Sequence, residues 1–237
     1  MSREPDTLPG FSGDRSAGPP GGFKLIGLTG GIGMGKSAAA ATLEQWGLPV
    51  CDTDLVARRL VAPGEPALGE IAAAFGRDVL DEGGRLRREI LAARVFADRE
   101  ARQRLEAILH PRIRASWLAE ADSWRRTGLA AGVVVIPLLF ETGAEESVDV
   151  TVCVACSAEV QRERLRERGW SDEQLAGRLA AQWPIERKMA AADFVIWNDG
   201  DRTTLAEQLR RILRTLELAC PAAAASCGAQ ASPKARL

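Results

Sequence analysis

The residues best suited to chemistry in this sequence form a glycine-rich run between two apolar segments. Residues 30–37 read GGIGMGKS and match the pattern G-x-x-x-x-G-K-[ST]. Glycines allow the backbone to curl so that its N–H groups surround phosphate oxygens. Lys36 would then reach the β- and γ-phosphates of a nucleoside triphosphate, and Ser37 would offer its hydroxyl oxygen to Mg²⁺. The run predicts a nucleotide-binding loop; the alternative is a chance glycine-rich turn.

Two carboxylates follow the next apolar segment. Asp52 and Asp54 are two residues apart, so an extended backbone would point both toward the same side. A kinase that acts on an alcohol needs a carboxylate to orient the hydroxyl group and accept its proton, and a further contact for Mg²⁺. One of the pair could instead cap the helix that is predicted to begin near Asp54. Geometry alone leaves open which of them is the base.

Alternate arginines occupy a later segment with helical character. On a helix Arg164 and Arg168 share one face, whereas Arg162 and Arg166 share another. One pair could neutralise the charge that develops at a transferring phosphate. The alternative is a solvated helix whose glutamates pair with these arginines.

Three other polar features stand alone. His110, the only histidine, precedes Pro111, where we expect a helix to break. Glu141 follows the third predicted strand and could contact substrate or Mg²⁺-bound water, or be a loop charge. Cys153 and Cys156 form a C-x-x-C in a strand-like run; because their side chains would point to opposite faces, we expect packed thiols and no metal site.

These candidates need a scaffold, and the apolar pattern predicts one. Strands are expected over residues 23–29, 48–51, 133–138, 148–154 and 194–197, with helices between them. Such alternation predicts an α/β fold with a five-stranded, mostly parallel sheet covered on both faces.

Two helical segments interrupt the alternation. Residues 63–128 form an insertion between the second and third strands, and residues 158–191 form a second excursion with a start signal at Ser171-x-x-Gln174. The last helix is expected to open with a capping box at Thr204-x-x-Glu207.

Composition narrows the function classes. Among 237 residues, 31 Lys and Arg balance 32 Asp and Glu, which argues against a general nucleic-acid binder. The longest apolar run, residues 130–140, is too short to span a bilayer, and the N-terminal segment has no apolar core of a signal peptide. We therefore expect a cytoplasmic protein that binds neither nucleic acid nor membrane.

Several separated segments resemble the dephospho-coenzyme A kinase family. They are LTGGIGMGKS (28–37), DTDLVAR (52–58), LHP (109–111), VIPLLFE (135–141) and ADFVIWN (192–198). The resemblance extends over residues 23–218. It implies a P-loop kinase that uses ATP and Mg²⁺ to phosphorylate the ribose 3′-hydroxyl of dephospho-coenzyme A, as a monomer or weak homo-oligomer.

The resemblance also implies a division of the chain. A nucleotide core would comprise residues 23–62, 129–157 and 192–218, with the acceptor-binding insertion at 63–128 and a helical lid at 158–191. Residues 1–22 and 219–237, rich in Pro, Gly, Ala and Ser, are expected to be disordered extensions.

Roles for individual residues follow from the same resemblance. The catalytic set would be Asp54 as base, Lys36, and Arg164 of the lid. The nucleotide would contact Gly31, Ile32, Gly33, Met34, Gly35, Lys36, Ser37, Ala38, Arg168 and Asn198. The acceptor would contact Asp54, Arg58, His110, Leu138 and Glu141, and the metal ligands would be Ser37 and Asp52. Ala38 and Trp197 depart from the family, which usually has Thr and Asp there.

Two other classes remain as alternatives. A shikimate-kinase-like enzyme shares the fold and an Asp-Thr-Asp segment, but it normally has Gly-Gly-Gly where this chain has Pro-Leu-Leu-Phe-Glu at residues 137–141. A non-catalytic guanine-nucleotide switch uses Asn-Lys-x-Asp, which this sequence lacks.

Overall fold

A computed structural model describes residues 22–169 and 182–219. Apart from Gly22 and Ala219, the expected N- and C-terminal extensions lie outside the described residues. The same holds for the helix start expected at Ser171-x-x-Gln174.

A five-stranded parallel sheet forms the centre of the described structure. Its strand order is β2-β3-β1-β4-β5, and every pairing is parallel, which confirms the predicted fold class. The sheet has both faces covered, so β3 and β4 are buried along their whole lengths. The strands are β1 (Lys24–Gly30), β2 (Val50–Asp52), β3 (Ala131–Val135), β4 (Val150–Ala155) and β5 (Phe194–Trp197).

Helices connect the strands and cover the sheet. Two short 3₁₀ turns, Arg77–Val79 and Ala144–Ser147, add to them. The described α-helices are α1 (Lys36–Gln45), α2 (Thr53–Leu60), α3 (Pro66–Phe75), α4 (Arg88–Ala97), α5 (Arg99–Arg126), α6 (Ala158–Glu167), α7 (Ile185–Ala191) and α8 (Arg202–Thr215).

Buried clusters on both sheet faces and in the insertion hold these elements together. On one sheet face, α1 and α8 pack through residues such as Leu43 and Leu209. On the other, α2 and the C-terminal half of α5 contribute Val56 and Trp117. The insertion between β2 and β3 has its own cluster around Ile71. Each fully buried side chain of this kind contributes about 1.5–3 kcal/mol to the free energy of unfolding. The cluster around Ile71 therefore stabilises the packing of the insertion's helices.

Two predicted helix boundaries are wrong. The helix does not break at Pro111, because α5 continues through it to Arg126; packing on both sides, against the insertion and against the sheet, outweighs the loss of one backbone hydrogen bond. The last helix begins at Arg202 without the expected capping box, because the Asp201 carboxylate accepts a hydrogen bond from Thr204 N at 2.8 Å.

The outer edge of β5 is covered by one side chain of α8. Trp197 N donates to Gln208 Oε1 at 3.0 Å, and Gln208 Nε2 donates to the carbonyl oxygen of Trp197 at 2.9 Å. The Gln208 amide therefore satisfies both backbone groups of Trp197, at a sheet edge where the described residues provide no neighbouring strand.

Candidate active site

The predicted nucleotide loop is a cradle between β1 and α1, which we define as residues 30–37. Gly30 ends β1, and Lys36 begins α1. Gly30, Gly33 and Gly35 have positive φ angles, as expected from the motif, but Gly31 does not. A Cβ at Gly31 would lie 2.5 Å from Met34 Sδ, so the buried Met34 side chain would have to move to admit it.

Gly35 has no room for a side chain. It has φ 102° at the N-cap of α1, and a Cβ there would lie 2.0 Å from Asn198 Nδ2. The Asn198 amide donates to Met34 O at 2.9 Å and is buried. The residue expected at the adenine of ATP thus supports the cradle from the end of β5, while Gln161 Nε2 of α6 donates to Ile32 O at 2.7 Å.

The Lys36 ammonium lies inside the cradle. It donates to the carbonyl oxygens of Gly30 and Gly31, each at 2.9 Å. Burial, followed by the nearby Lys188 ammonium, lowers the pKa of Lys36 from 10.5 to about 8. A polyanion bound in the cradle would favour the charged form of Lys36. Ser37 and Ala38 follow in the first turn of α1, with Ser37 exposed to solvent.

Asp52 and Asp54 lie on different elements, so the expectation that both belong to one extended strand is wrong. Asp52 ends β2 and caps α2, and its Oδ1 accepts from Asp54 N at 2.8 Å. Thr53 is buried at the junction and donates to Val135 O of β3 at 2.9 Å, which fixes where α2 begins. Both carboxylates still lie close enough to the cradle that the negative charge of each raises the pKa of Lys36.

The two arginines expected to act together have different surroundings. Arg164 Nη2 donates to the Asn198 carbonyl oxygen at 2.9 Å. Its Nη1 is buried without a hydrogen-bond partner among the described residues, and a Cβ on Gly35 would lie 3.8 Å from it. Arg164 thus presents an unused donor beside the cradle. Arg168 is exposed at the C-cap of α6, and no contact within the described part of the chain brings it to the cradle.

A cavity of about 570 Å³ opens beside the cradle, and we call it the acceptor-side cavity. It lies between the N-terminus of α2, the middle of α5 and the segment that follows β3. Four residues expected to contact the acceptor line it together: Asp54, His110, Leu138 and Glu141. Arg58, the fifth, lines a second cavity with Leu55 and Arg59.

Sequence reasoning missed a cation in the acceptor-side cavity. Arg114, one turn of α5 after His110, lines it and donates from Nη2 to Ser147 Oγ at 2.6 Å. Helical spacing from His110 was the available signal, because residues i and i+4 share a face.

Sequence reasoning also missed Lys188 of α7. Its side chain is 0% exposed, and its Nζ lies 2.9 Å from Glu141 Oε1 and donates to Pro137 O at 2.6 Å. Glu141 Oε1 also accepts from Trp183 N at 2.7 Å, whereas Oε2 is buried without a hydrogen-bond partner among the described residues. The signal was that Lys188 lies three residues after Ile185, on the apolar side of a short helix.

The described side chains include no ready-made metal centre. No group of three or more His, Cys, Asp or Glu residues within the described ranges could hold a metal ion. Of the two expected Mg²⁺ ligands, Ser37 is exposed to solvent, and Asp52 uses its Oδ1 to cap α2; a Mg²⁺ ion commonly takes most of its ligands from phosphate and water. Cys51, Cys153 and Cys156 are free and buried, in line with the expectation of packed thiols.

Comparisons with known proteins identify relatives of this chain. The family model for dephospho-CoA kinase matches residues 24–204. The dephospho-CoA kinase of Geobacillus kaustophilus is 45% identical over 80% of this chain and 94% of its own. That of Anaeromyxobacter dehalogenans is 47% identical over 82% of this chain and 92% of its own.

Solved structures show the same likeness. The Thermus thermophilus protein TT1252 superposes with a TM-score of 0.72 at 37% identity, covering 82% of this chain and 98% of that one. The dephospho-CoA kinase of Campylobacter jejuni does so with a TM-score of 0.62 at 26% identity, covering 82% and 97%. Because the family match extends over most of the chain and identity to two members is high, this protein belongs to the dephospho-CoA kinase family.

Proposed function

We propose that this chain transfers the γ-phosphoryl group of ATP to the 3′-hydroxyl of the ribose of dephospho-CoA, giving CoA and ADP. The observation that carries the proposal is the position of Asp54. Its side chain lines the acceptor-side cavity, and its charge acts on Lys36 of the cradle. A hydroxyl group held by Asp54 would therefore lie next to a phosphate held by Lys36.

Each group then has a defined task. The backbone N–H groups of the cradle and the Lys36 ammonium hold the β- and γ-phosphates, and the unused Nη1 of Arg164 supports the charge that develops on the transferred group. Asp54 orients the hydroxyl group and accepts its proton as the new P–O bond forms and the bond to ADP breaks. Ser37 and Asp52 would hold Mg²⁺, which supplies charge neutralisation at the β- and γ-phosphates.

The acceptor carries a diphosphate, so its site needs positive charge. Arg114 supplies a guanidinium in the wall of the acceptor-side cavity. It donates a hydrogen bond to the Ser147 hydroxyl, which is neutral and so does not balance the positive charge of Arg114. We place the diphosphate of dephospho-CoA near Arg114, with Leu138 and His110 against the nucleoside.

The direct test measures ADP formation by purified protein with ATP, Mg²⁺ and one acceptor at a time. We expect turnover with dephospho-CoA, none with 3′-deoxy-dephospho-CoA and none with shikimate. Lys36→Ala should lower kcat by about 10³-fold, while Lys24→Ala, at the far end of β1, should leave it unchanged. Turnover with shikimate alone would favour the shikimate-kinase-like alternative, and nucleotide binding without turnover would favour a switch.

The setting of the enzyme is part of the proposal. No helix within the described ranges is long and apolar enough to cross a membrane. We propose a cytoplasmic enzyme that acts on a small molecule. We further propose that it is a monomer or weak homo-oligomer, and sedimentation at several protein concentrations would test this oligomeric state.

A further inference from the structure

The fully buried Lys188 ammonium has no role in the proposed function so far. It lies beneath the segment of residues 137–141 that follows β3, and it contacts both ends of that segment through Pro137 O and Glu141 Oε1. Pro137, Leu138 and Glu141 form part of the wall of the acceptor-side cavity. One side chain of α7 therefore fixes the wall at two points.

The same contacts connect the wall to the cradle. Pro137 O also accepts from Thr29 Oγ1 at 3.3 Å, and Thr29 immediately precedes Gly30 in β1. The Lys188 ammonium is also close enough to Lys36 to be the main charged group that lowers its pKa. Lys188 thus lies where the acceptor wall and the phosphate cradle meet.

Stability alone does not account for a lysine at this place. Burying an ammonium and a carboxylate costs solvation free energy that their attraction often only offsets, so apolar side chains of similar size are commonly as stable. The pair instead leaves Glu141 Oε2 buried and without a hydrogen-bond partner within the described part of the chain.

We propose that Lys188 is a positioning residue for phosphoryl transfer: it holds Pro137 and Glu141 so that the acceptor wall keeps a fixed distance from the phosphate cradle. The inference rests on the proposed function, because it assumes that the acceptor occupies the cavity beside the cradle. Lys188 does not touch either substrate; it acts through Glu141 and the Pro137 carbonyl group.

The test separates nucleotide binding from transfer in Lys188→Met. Because misplacement of reacting groups by about 1 Å can lower the rate about 10²-fold, we expect kcat/KM for dephospho-CoA to fall at least about 30-fold. The affinity for a non-hydrolysable ATP analogue, measured without acceptor by calorimetry, should stay within about threefold, because the hydrogen bonds that Asn198 and Gln161 donate to the cradle remain.

Two matched controls accompany this variant. Lys24→Met removes a lysine at the opposite end of the sheet and should leave kcat/KM unchanged. Leu213→Ala removes a buried side chain of α8, which should lower the melting temperature without lowering kcat/KM. The second control shows that lost stability alone does not produce the kinetic defect.

A second variant keeps the inference testable if Lys188→Met fails to fold. Glutamine has nearly the shape of glutamate, so Glu141→Gln can keep an oxygen that accepts hydrogen bonds from Lys188 and Trp183. It removes the negative charge of the Lys188–Glu141 pair. We expect Glu141→Gln to lower kcat/KM for dephospho-CoA. The double variant with Lys188→Met should have a kcat/KM no lower than that of Lys188→Met alone, because both changes disrupt one network.

Three results would overturn the inference: kcat/KM within about threefold of wild type in a folded Lys188→Met, an equal loss of ATP-analogue affinity, or additive effects of the two substitutions. The first would make Lys188 structural only, and the second would make it part of the nucleotide site. If the wild-type protein itself failed to phosphorylate dephospho-CoA, the proposed function would be rejected instead.

Discussion

At the scale of single residues, the neighbouring carboxylates Asp52 and Asp54 have different surroundings. Asp52 uses one oxygen to cap α2, whereas Asp54 lines the acceptor-side cavity. Asn is as effective an N-cap as Asp, so changing Asp52 to Asn should preserve the helix start. Substituting each of these two carboxylates by Asn therefore tests which one accepts the proton, with little disturbance of the structure.

We predict that Asp54→Asn lowers kcat by about 10²–10⁴-fold and changes the KM for dephospho-CoA little, because it removes general-base assistance. Asp52→Asn should mainly raise the Mg²⁺ concentration needed for half-maximal rate. Steady-state kinetics over a Mg²⁺ series measures both effects. If Asp52→Asn stopped transfer while Asp54→Asn raised only KM, the two roles would be reversed.

Arg164 and Arg162 are two residues apart on α6 but have different exposure. Arg164 contacts Asn198 and has a buried unused donor, whereas Arg162 is exposed. We predict that Arg164→Met lowers kcat by about 10²-fold, because a fixed charge at the transferred group is lost, and that Arg162→Met stays within about twofold. Rate measurements at saturating ATP compare them. Small, equal effects would make α6 a solvated helix without a catalytic role.

At the scale of elements, the sequence predicts the parts that depend on local pattern. The apolar runs identified β3 and β4, the strands on either side of β1, and the glycine motif located the start of α1 within a residue. Boundaries that depend on tertiary contacts were not predictable in this way. Packing carries α5 through Pro111, and Thr53 anchored on β3 begins α2 before Asp54.

The start of α8 gives a direct test of such a boundary. We predict that Asp201→Ala lowers the free energy of unfolding by about 1 kcal/mol, because Thr204 N loses its side-chain acceptor. Thr204→Ala should cost less, since its hydroxyl group does not cap the helix. Urea unfolding followed by circular dichroism measures both. The opposite ranking would restore the capping box expected from the sequence.

Lys188 shows a different limit of sequence analysis. A lysine within a short helix usually lies on the solvated face, and only the apolar neighbours Ile185 and Met189 indicated otherwise. The acceptors that satisfy its charge come from the segment after β3, some fifty residues earlier in the chain. No local pattern contains that pairing, so the fold was needed to identify it.

At the scale of the whole molecule, the three described thiols report on global unfolding. Burial raises the pKa of Cys51 to about 12 and that of Cys153 to about 11, so both remain protonated at neutral pH, and Cys156 is also buried. The thiolate is the reactive form. The core therefore protects these residues by exclusion and by protonation together.

We predict that iodoacetamide modifies these three cysteines only as fast as the protein unfolds globally. Peptide mass spectrometry along a urea series should show their modification following the unfolding transition seen by circular dichroism. Even when the pH is raised from 7 to about 9, only a small minority of the Cys51 and Cys153 side chains should be thiolate in the native state, because that range lies below both raised pKa values. Rapid modification in native buffer would reveal local opening of β2 or β4.

The amide of Gln208 has a consequence for solubility. An uncovered edge strand offers its unpaired N–H and carbonyl groups to another chain and is a common starting point for aggregation. On β5 the outward backbone groups belong to alternate residues, and Gln208 occupies those of Trp197. Within the described strand, the outward groups of Val195 are then the ones left for such pairing. A single side chain thus occupies the outward backbone groups at one of the two outward-facing residues of β5, beside the exposed apolar surface of Val195 and Trp197.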